Sequence, residues 1–239
     1  MTNTSEQHKR DLDTFYQLMD LLQQRQGFRY LSECTAELHW PKKGVYFFYE
    51  PDELRTGGNS KRVVRVGTHA VSTGSTRTLW DRLRTHRGTT AGGGNHRASV
   101  FRKLIGLALI ERNHITSPGA TTWGHGNSAP KAIRVQETNL EKQVSEHIGN
   151  LPFVWVEIDD PAGPDSKRKY IERDSIALLS NINGNPDTPS DCWLGSKCPH
   201  KDVKDSGLWN SDHVREEYNP EFLIDLKRYV EKTNRTQGT

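Results

Sequence analysis

The order of strand-like and helical runs along the chain restricts the fold more than any other feature. Residues 44–49 are a short apolar and aromatic run, and residues 61–67 are a second strand-like run that contains three valines. The turn-forming stretch between them predicts a β-hairpin. A third such run, at 153–158, follows only after several helical patterns. This order predicts an α+β fold in which helices flank a small mixed or antiparallel three-stranded sheet.

Apolar residues at helical spacing predict the flanking helices. These helices cover about residues 6–24, 75–87, 97–110, 137–149, 168–181 and 220–232. Ser75 and Thr76 are candidate N-caps of the second helix, because their hydroxyls can accept hydrogen bonds from the first free N–H groups.

A chain of 239 residues suits one decorated domain. We expect an N-terminal helical extension at 1–40, a core at 41–185, and a C-terminal extension at 186–239 that ends in a helix. The stretch at about 113–135 contains several Gly and Pro residues and is predicted to be an insertion in the core.

Basic residues are concentrated in one part of the chain. Residues 61–112 contain eleven Lys and Arg residues and two acidic residues, a net charge of +9, whereas the whole chain carries +3. This concentration indicates a polyanion site, with a solvated basic face as the alternative. The candidate nucleic-acid contacts are Arg84, Arg87, His96, Arg97, Arg102 and Lys103.

Other sequence features restrict location and metal chemistry. No apolar run reaches the ~18 residues of a membrane-spanning helix, and the polar start does not suit a signal peptide. With three cysteines, a reduced, cytoplasmic protein is expected. The spacing of Cys192, Cys198, His200 and His213 departs from that of structural zinc sites, so zinc is not expected.

Residues that can carry chemistry recur in order along the predicted elements. Gly-Val-Tyr at 44–46 opens the first strand, and Arg-Val-Gly at 65–67 ends the second. Arg82 and His86 are four positions apart and therefore share one helix face. Glu172 lies at the start of the last core helix. As an ordered set over about residues 42–185, these features resemble the GIY-YIG nuclease family.

The resemblance implies a divalent-metal-dependent endonuclease that hydrolyses DNA phosphodiester bonds. Glu172 would bind Mg²⁺ or Mn²⁺, since hard cations prefer carboxylate oxygens. Arg82 would bind the scissile phosphate, and Tyr46 would act as general base or as a relay to the attacking water. His86 would orient groups or transfer protons. Asn181 or Asn183 would take the place of the family's supporting asparagine, and both remain candidates.

The second motif departs from the family pattern. The family has a tyrosine where this chain has Arg65, and arginine stays protonated, so it cannot accept a proton. The cation of Arg65 would either ease ionisation of Tyr46 or contact a second phosphate. Loss of catalysis is the alternative. His69, which follows this motif, is expected to be an ordinary surface histidine.

DNA is the expected partner, RNA stays open, and no membrane contact is expected. A homodimer is also open, because cleavage of both strands by a single-site enzyme often needs two copies. The size of the chain suggests a restriction, defence or mobile-element enzyme, by analogy alone. The competing functions are a catalytically inactive nucleic-acid-binding module and a protein-interaction subunit that docks through residues 113–150 and the tail.

Overall fold

The computed structural model describes residues 2–233, with side chains from residue 6 onward. Its helices are α1 (Thr2–Gln26), α2 (Leu79–Arg87), α3 (Val100–Asn113), α4 (Pro118–Thr121), α5 (Lys131–Gly149), α6 (Lys167–Leu179), α7 (Lys201–Ser206) and α8 (Phe222–Lys232). Its strands are β1 (Arg29–Tyr30), β2 (Gly44–Leu54), β3 (Lys61–Gly67) and β4 (Pro152–Glu157). The predicted α+β class is confirmed.

The sheet has four strands, so the prediction of three is wrong. The strand order is β1-β4-β2-β3, and every neighbouring pair is antiparallel. The additional strand, β1, contributes only two residues, and it pairs with the start of β4. Two residues are too few to produce an alternating pattern, so only the tertiary pairing reveals this strand.

Helices cover both faces of the sheet. The β2 side chains of Tyr46 and Phe48 join an apolar cluster with α2, α3 and α5. Those of Val45 and Phe47 point the other way and join a cluster with α1, α6 and α8. The terminal helices that the sequence places outside the core therefore bury apolar surface directly against the sheet.

Two local predictions differ from the structure. Helix α2 is capped by Thr78, whose hydroxyl accepts from the Asp81 N–H, while the Asp81 carboxylate accepts from Thr78 in return. This reciprocal capping box explains why the helix begins later than Ser75 or Thr76 would place it. The stretch at 113–135 also contains α4 and the first turn of α5.

The pairing of β2 with β3 brings two sequence motifs into register. Tyr46 lies opposite Gly67, and Phe48 lies opposite Arg65. The register then shifts, so that Tyr49 lies opposite Val63 and β3 carries one additional residue. Since cross-strand neighbours share a face, Arg65 and Tyr46 lie on the same face of the sheet.

Gly67 leaves room for the ring of Tyr46. A Cβ at Gly67 would overlap the hydroxyl oxygen and adjacent ring atoms of Tyr46, both of which are held in the buried core. The glycine of the second motif is therefore required by a close approach of two strands.

We expect Gly67→Ala to lower the free energy of unfolding by about 1–3 kcal/mol, the usual range for overpacking a core. Chemical denaturation measures this change. Gly58→Ala is the matched control, because the nearest atom to a Cβ there is 3.9 Å away. Equal stability of the two variants would contradict the packing argument.

Candidate active site

Tyr46 and His86 form the centre of the candidate site. The Tyr46 hydroxyl and the Nε2 atom of His86 are 2.8 Å apart, and both side chains are fully buried. Tyr46 comes from the sheet and His86 from the last turn of α2. The strand and the helix thus bring together two residues that lie forty positions apart in the sequence.

His86 is held on its other side by Ser99, the N-cap of α3. The Nδ1 atom of His86 lies 2.8 Å from the Ser99 hydroxyl. Burial holds the pKa of His86 well below its usual range, and the positive charges of Arg82, Arg65 and Arg102 lower it further. His86 is therefore a neutral imidazole with one N–H and one lone pair for these two hydrogen bonds.

Arg65 lies beside Tyr46 and is almost fully buried. Its guanidinium carbon lies 4.7 Å from the centre of the Phe101 ring, and it donates a hydrogen bond to the Trp209 carbonyl. Burial lowers the pKa of Arg65, and the positive charge of Arg82 lowers it further. The two guanidinium groups are therefore close enough to repel each other.

Glu172 approaches the same group from α6. Its Oε1 atom accepts a hydrogen bond of 2.9 Å from the backbone N–H of Thr68, directly after β3. Burial raises the pKa of Glu172, while the Thr68 N–H and the charges of Arg65, His213 and Arg82 oppose that rise. A carboxylate, two guanidiniums and a Tyr–His pair therefore lie together at the end of β3.

A comparison with known families shows which family the chain belongs to. A model of the GIY-YIG domain matches residues 6–236. The chain belongs to the GIY-YIG domain family. The match includes most of α1 and all of α8, as well as the segment that carries the motifs. No curated protein and no solved structure matches the chain.

Membership of the GIY-YIG family implies an endonuclease-type hydrolase, and such nucleases generally depend on a divalent metal. Among the described residues, no group of three or more His, Cys, Asp or Glu side chains is arranged to hold a metal ion. Glu172 nevertheless fits Mg²⁺, because this ion is commonly bound through one or two carboxylates, with water and substrate phosphates as its other ligands.

The expected nucleic-acid contacts divide into buried and exposed residues. Arg102 and His96 are buried and bind Glu141, at 2.6 Å and 2.9 Å, and Arg97 binds Glu137 at 2.7 Å. Each of these side chains is buried and already paired with a carboxylate, so it is not free to bind a phosphate, and this part of the expectation is corrected. The neutralising carboxylates come from α5, outside the basic segment, and charge counted along the sequence cannot reveal them.

The other three predicted contacts are at least partly accessible. The Arg84 side chain is 60% exposed and lies 3.4 Å from Asp81. Lys103 is half-buried. Arg87 donates to the Cys34 carbonyl at 2.5 Å and stacks over Trp80, so most of its contacts stabilise the fold.

The two candidate asparagines support a turn after α6. The Asn181 amide donates to the carbonyls of Asn185 and Asp187, and the Asn183 amide donates to those of Ala177 and Glu216. Both amides therefore bind the backbone around this turn.

The cysteines and histidines considered for zinc have different surroundings. The Cys198 thiol is buried against the Leu104 carbonyl, whereas Cys192 is exposed. His213 lies near Glu172, with its Nδ1 atom 2.6 Å from a Glu216 carboxylate oxygen.

Several residues at the site have only weak sequence signals. Ser99 is recognisable as a helix cap, but nothing in the sequence pairs it with His86. Thr68 directly follows the second motif, and its N–H and hydroxyl link Glu172 to the Gly44 carbonyl. Trp209 and His213 come from the tail, where neither periodicity nor spacing predicts their position.

His69 is buried, contrary to the expectation of a surface histidine. Only 6% of it is exposed, and Nε2 lies 3.2 Å from the Lys42 carbonyl. Burial lowers the pKa of His69 to about 4, and the charges of Arg168 and Arg82 contribute to the lowering.

The lowered pKa of His69 predicts acid-sensitive stability. The stabilisation that comes from the lowered pKa of His69 is complete above the unfolded-state pKa of about 6.5. It is lost as the pH falls towards the folded-state pKa. Between about pH 7.5 and about pH 5, the loss is about 2 kcal/mol, and we expect it to disappear in His69→Gln. Denaturant titrations at both pH values measure it. The exposed His125→Gln control should keep the wild-type pH dependence.

Proposed function

We propose that the protein is a divalent-metal-dependent endonuclease that hydrolyses DNA phosphodiester bonds. The observation that carries the proposal is the Tyr46–His86 hydrogen bond beside Arg65, Arg82 and Glu172. This group combines a proton relay, phosphate-binding cations and a metal-binding carboxylate, which are the parts that phosphodiester hydrolysis needs.

Tyr46 and His86 supply the proton relay. In one tautomer of the neutral imidazole, the Tyr46 hydroxyl donates to Nε2, and Nδ1–H donates to Ser99. As water attacks the phosphorus, a water proton passes to the Tyr46 oxygen and the phenolic proton passes to Nε2. The positive charge formed on His86 is offset by the negative charge of the arriving phosphate.

Arg82 and Glu172 act on the phosphate. Arg82 lies one turn before His86 on α2, and its guanidinium donates hydrogen bonds to phosphate oxygens. Glu172 would hold a divalent cation, and that cation would neutralise charge at the phosphate and at the leaving oxygen. Thr68 orients the Glu172 carboxylate through its backbone N–H.

The wider biological setting follows as part of the same proposal. Arg84 and Lys103 remain accessible for contacts with the DNA backbone, and such contacts would serve RNA as well.

No described helix is long and apolar enough to cross a membrane. Free Cys34, Cys192 and Cys198 suit a reducing cytoplasm. A homodimer and a restriction, defence or mobile-element role belong to the proposal as well.

Glu172→Gln tests the metal-binding role. We expect Mg²⁺-dependent nicking of supercoiled plasmid to fall by about 100-fold or more, since the amide has lost the negative charge that holds the cation. Glu231→Gln, an exposed substitution on α8, is the control and should cleave normally. DNA binding without cleavage by the wild type would instead identify an inactive binding module.

Tyr46→Phe tests the relay. The change keeps the ring in the core and removes the hydroxyl that contacts His86, so we expect the cleavage rate to fall by about 100- to 10,000-fold. The rate is measured in single-turnover assays with a labelled duplex. Tyr49→Phe is the matched control, because Tyr49 lies on the same strand but in the opposite cluster. An active Tyr46→Phe enzyme would exclude Tyr46 as base or relay.

A further inference from the structure

Strand β3 lies at the outer edge of the sheet, and a segment of the C-terminal tail covers that edge. We call residues 207–210 the covering segment. The backbone N–H of Trp209 donates to the Val64 carbonyl over 2.7 Å. The Asn210 side chain binds both backbone groups of Val66, accepting from its N–H at 3.1 Å and donating to its carbonyl at 2.9 Å. The segment thus satisfies edge groups that a neighbouring strand would otherwise bind.

The covering segment is firmly attached to the body of the protein. Trp209 is fully buried and packs against Trp193, with 5.3 Å between the ring centres. Its indole N–H donates to Glu50 over 2.8 Å. These side-chain contacts, together with the backbone hydrogen bond to Val64, hold the Trp209 backbone in place beside β3.

Two arginines of β3 use carbonyls of this segment. Arg62 donates to Gly207 over 2.5 Å and is also paired with Glu53 at 2.9 Å. Arg65 donates to the carbonyl of Trp209. Arg62 binds a carboxylate as well as a carbonyl, whereas the covering segment offers Arg65 only a neutral carbonyl. The carboxylate that acts on Arg65 is that of Glu172, in the candidate site.

Arg65 also keeps donor capacity. Its Nε atom is buried and has no hydrogen-bond partner, which is unusual for a buried polar atom. The guanidinium lies near the site, because its charge acts on Glu172 and His86. A buried, oriented cation with a free donor is suited to bind an anion that enters the site.

We propose that the covering segment is a positioning element of the active site. By binding Arg65 through the Trp209 carbonyl, it holds the guanidinium as a second phosphate-binding group beside Arg82. This inference rests on the proposed function, and it favours the phosphate role of Arg65. A long arginine side chain has several rotatable bonds, so fixing it before substrate arrives strengthens its interaction with the phosphate.

The test is a double-mutant cycle between Asn210→Ala and Arg65→Gln. Binding of a short DNA duplex is measured in EDTA over a range of salt concentrations, and cleavage is measured separately with Mg²⁺. We expect Arg65→Gln to weaken binding by about tenfold and to reduce the salt slope by about one, as for the loss of one phosphate contact. Asn210→Ala should weaken binding by a smaller factor and have little further effect in the Arg65→Gln background.

Asn185→Ala is the matched control. Asn185 is also a buried asparagine that binds two backbone groups, at Leu179 and Asp187, but it does not touch β3. Asn185→Ala should change DNA binding by the same factor in the wild type and in the Arg65→Gln background. Thermal denaturation verifies that each variant is folded, and Asn210→Ser serves as the milder variant should Asn210→Ala unfold.

Additive effects of Asn210 and Arg65 variants on binding would overturn the proposal, as would unchanged binding and salt dependence in Arg65→Gln. The binding assay needs no turnover, so it separates this inference from the proposed function. Coupled effects on binding with no cleavage by the wild type would retain the positioning role and reject the nuclease. Cleavage by the wild type together with additive effects on binding would retain the nuclease and reject the positioning role.

Discussion

The close approach of Tyr46 to Gly67 across two antiparallel strands is the contact on which the site depends. Because Gly67 has no side chain, the ring of Tyr46 lies over the backbone of β3, and its hydroxyl reaches His86. The same register places Arg65 on this face of the sheet. A shift of one residue would move these side chains to the opposite face and separate the parts of the site.

Buried ion pairs determine which cations remain for substrate. Arg102, His96 and Glu141 form one buried group, and Arg102 also donates to the carbonyl of His86, which steadies the end of α2. Such groups are weak evidence for stability, but breaking one leaves an uncompensated buried charge. Several of the cations of residues 61–112 are therefore neutralised inside the protein. Within this segment, Arg65 and Arg82 carry the charges that act on Glu172.

Several predictions from the sequence hold because they depend on local chemistry. Residues 61–67 are rich in valine and end in glycine, and they form β3 with these bounds. The helix that carries Arg82 and His86 could also be predicted, because its apolar spacing and its charged face are properties of the local sequence. By contrast, β1 is too short to leave a pattern. The cap of α2 is itself a local signal, Thr78 followed three residues later by Asp81, and the choice of Ser75 or Thr76 overlooked it. His69 looks like a surface histidine until α6 brings Arg168 to its carbonyl.

The sequence by itself determined the α+β class, the principal strands and helices, and the family. It also proposed five candidate site residues, which the structure places near one another. These follow from periodicity and from motifs whose order survives in the linear chain. The tertiary structure alone decided which cations are neutralised, that the tail covers β3, and that Trp209 holds Arg65. These features arise between residues far apart in the chain, and their partners are set by packing in three dimensions, which no local pattern records.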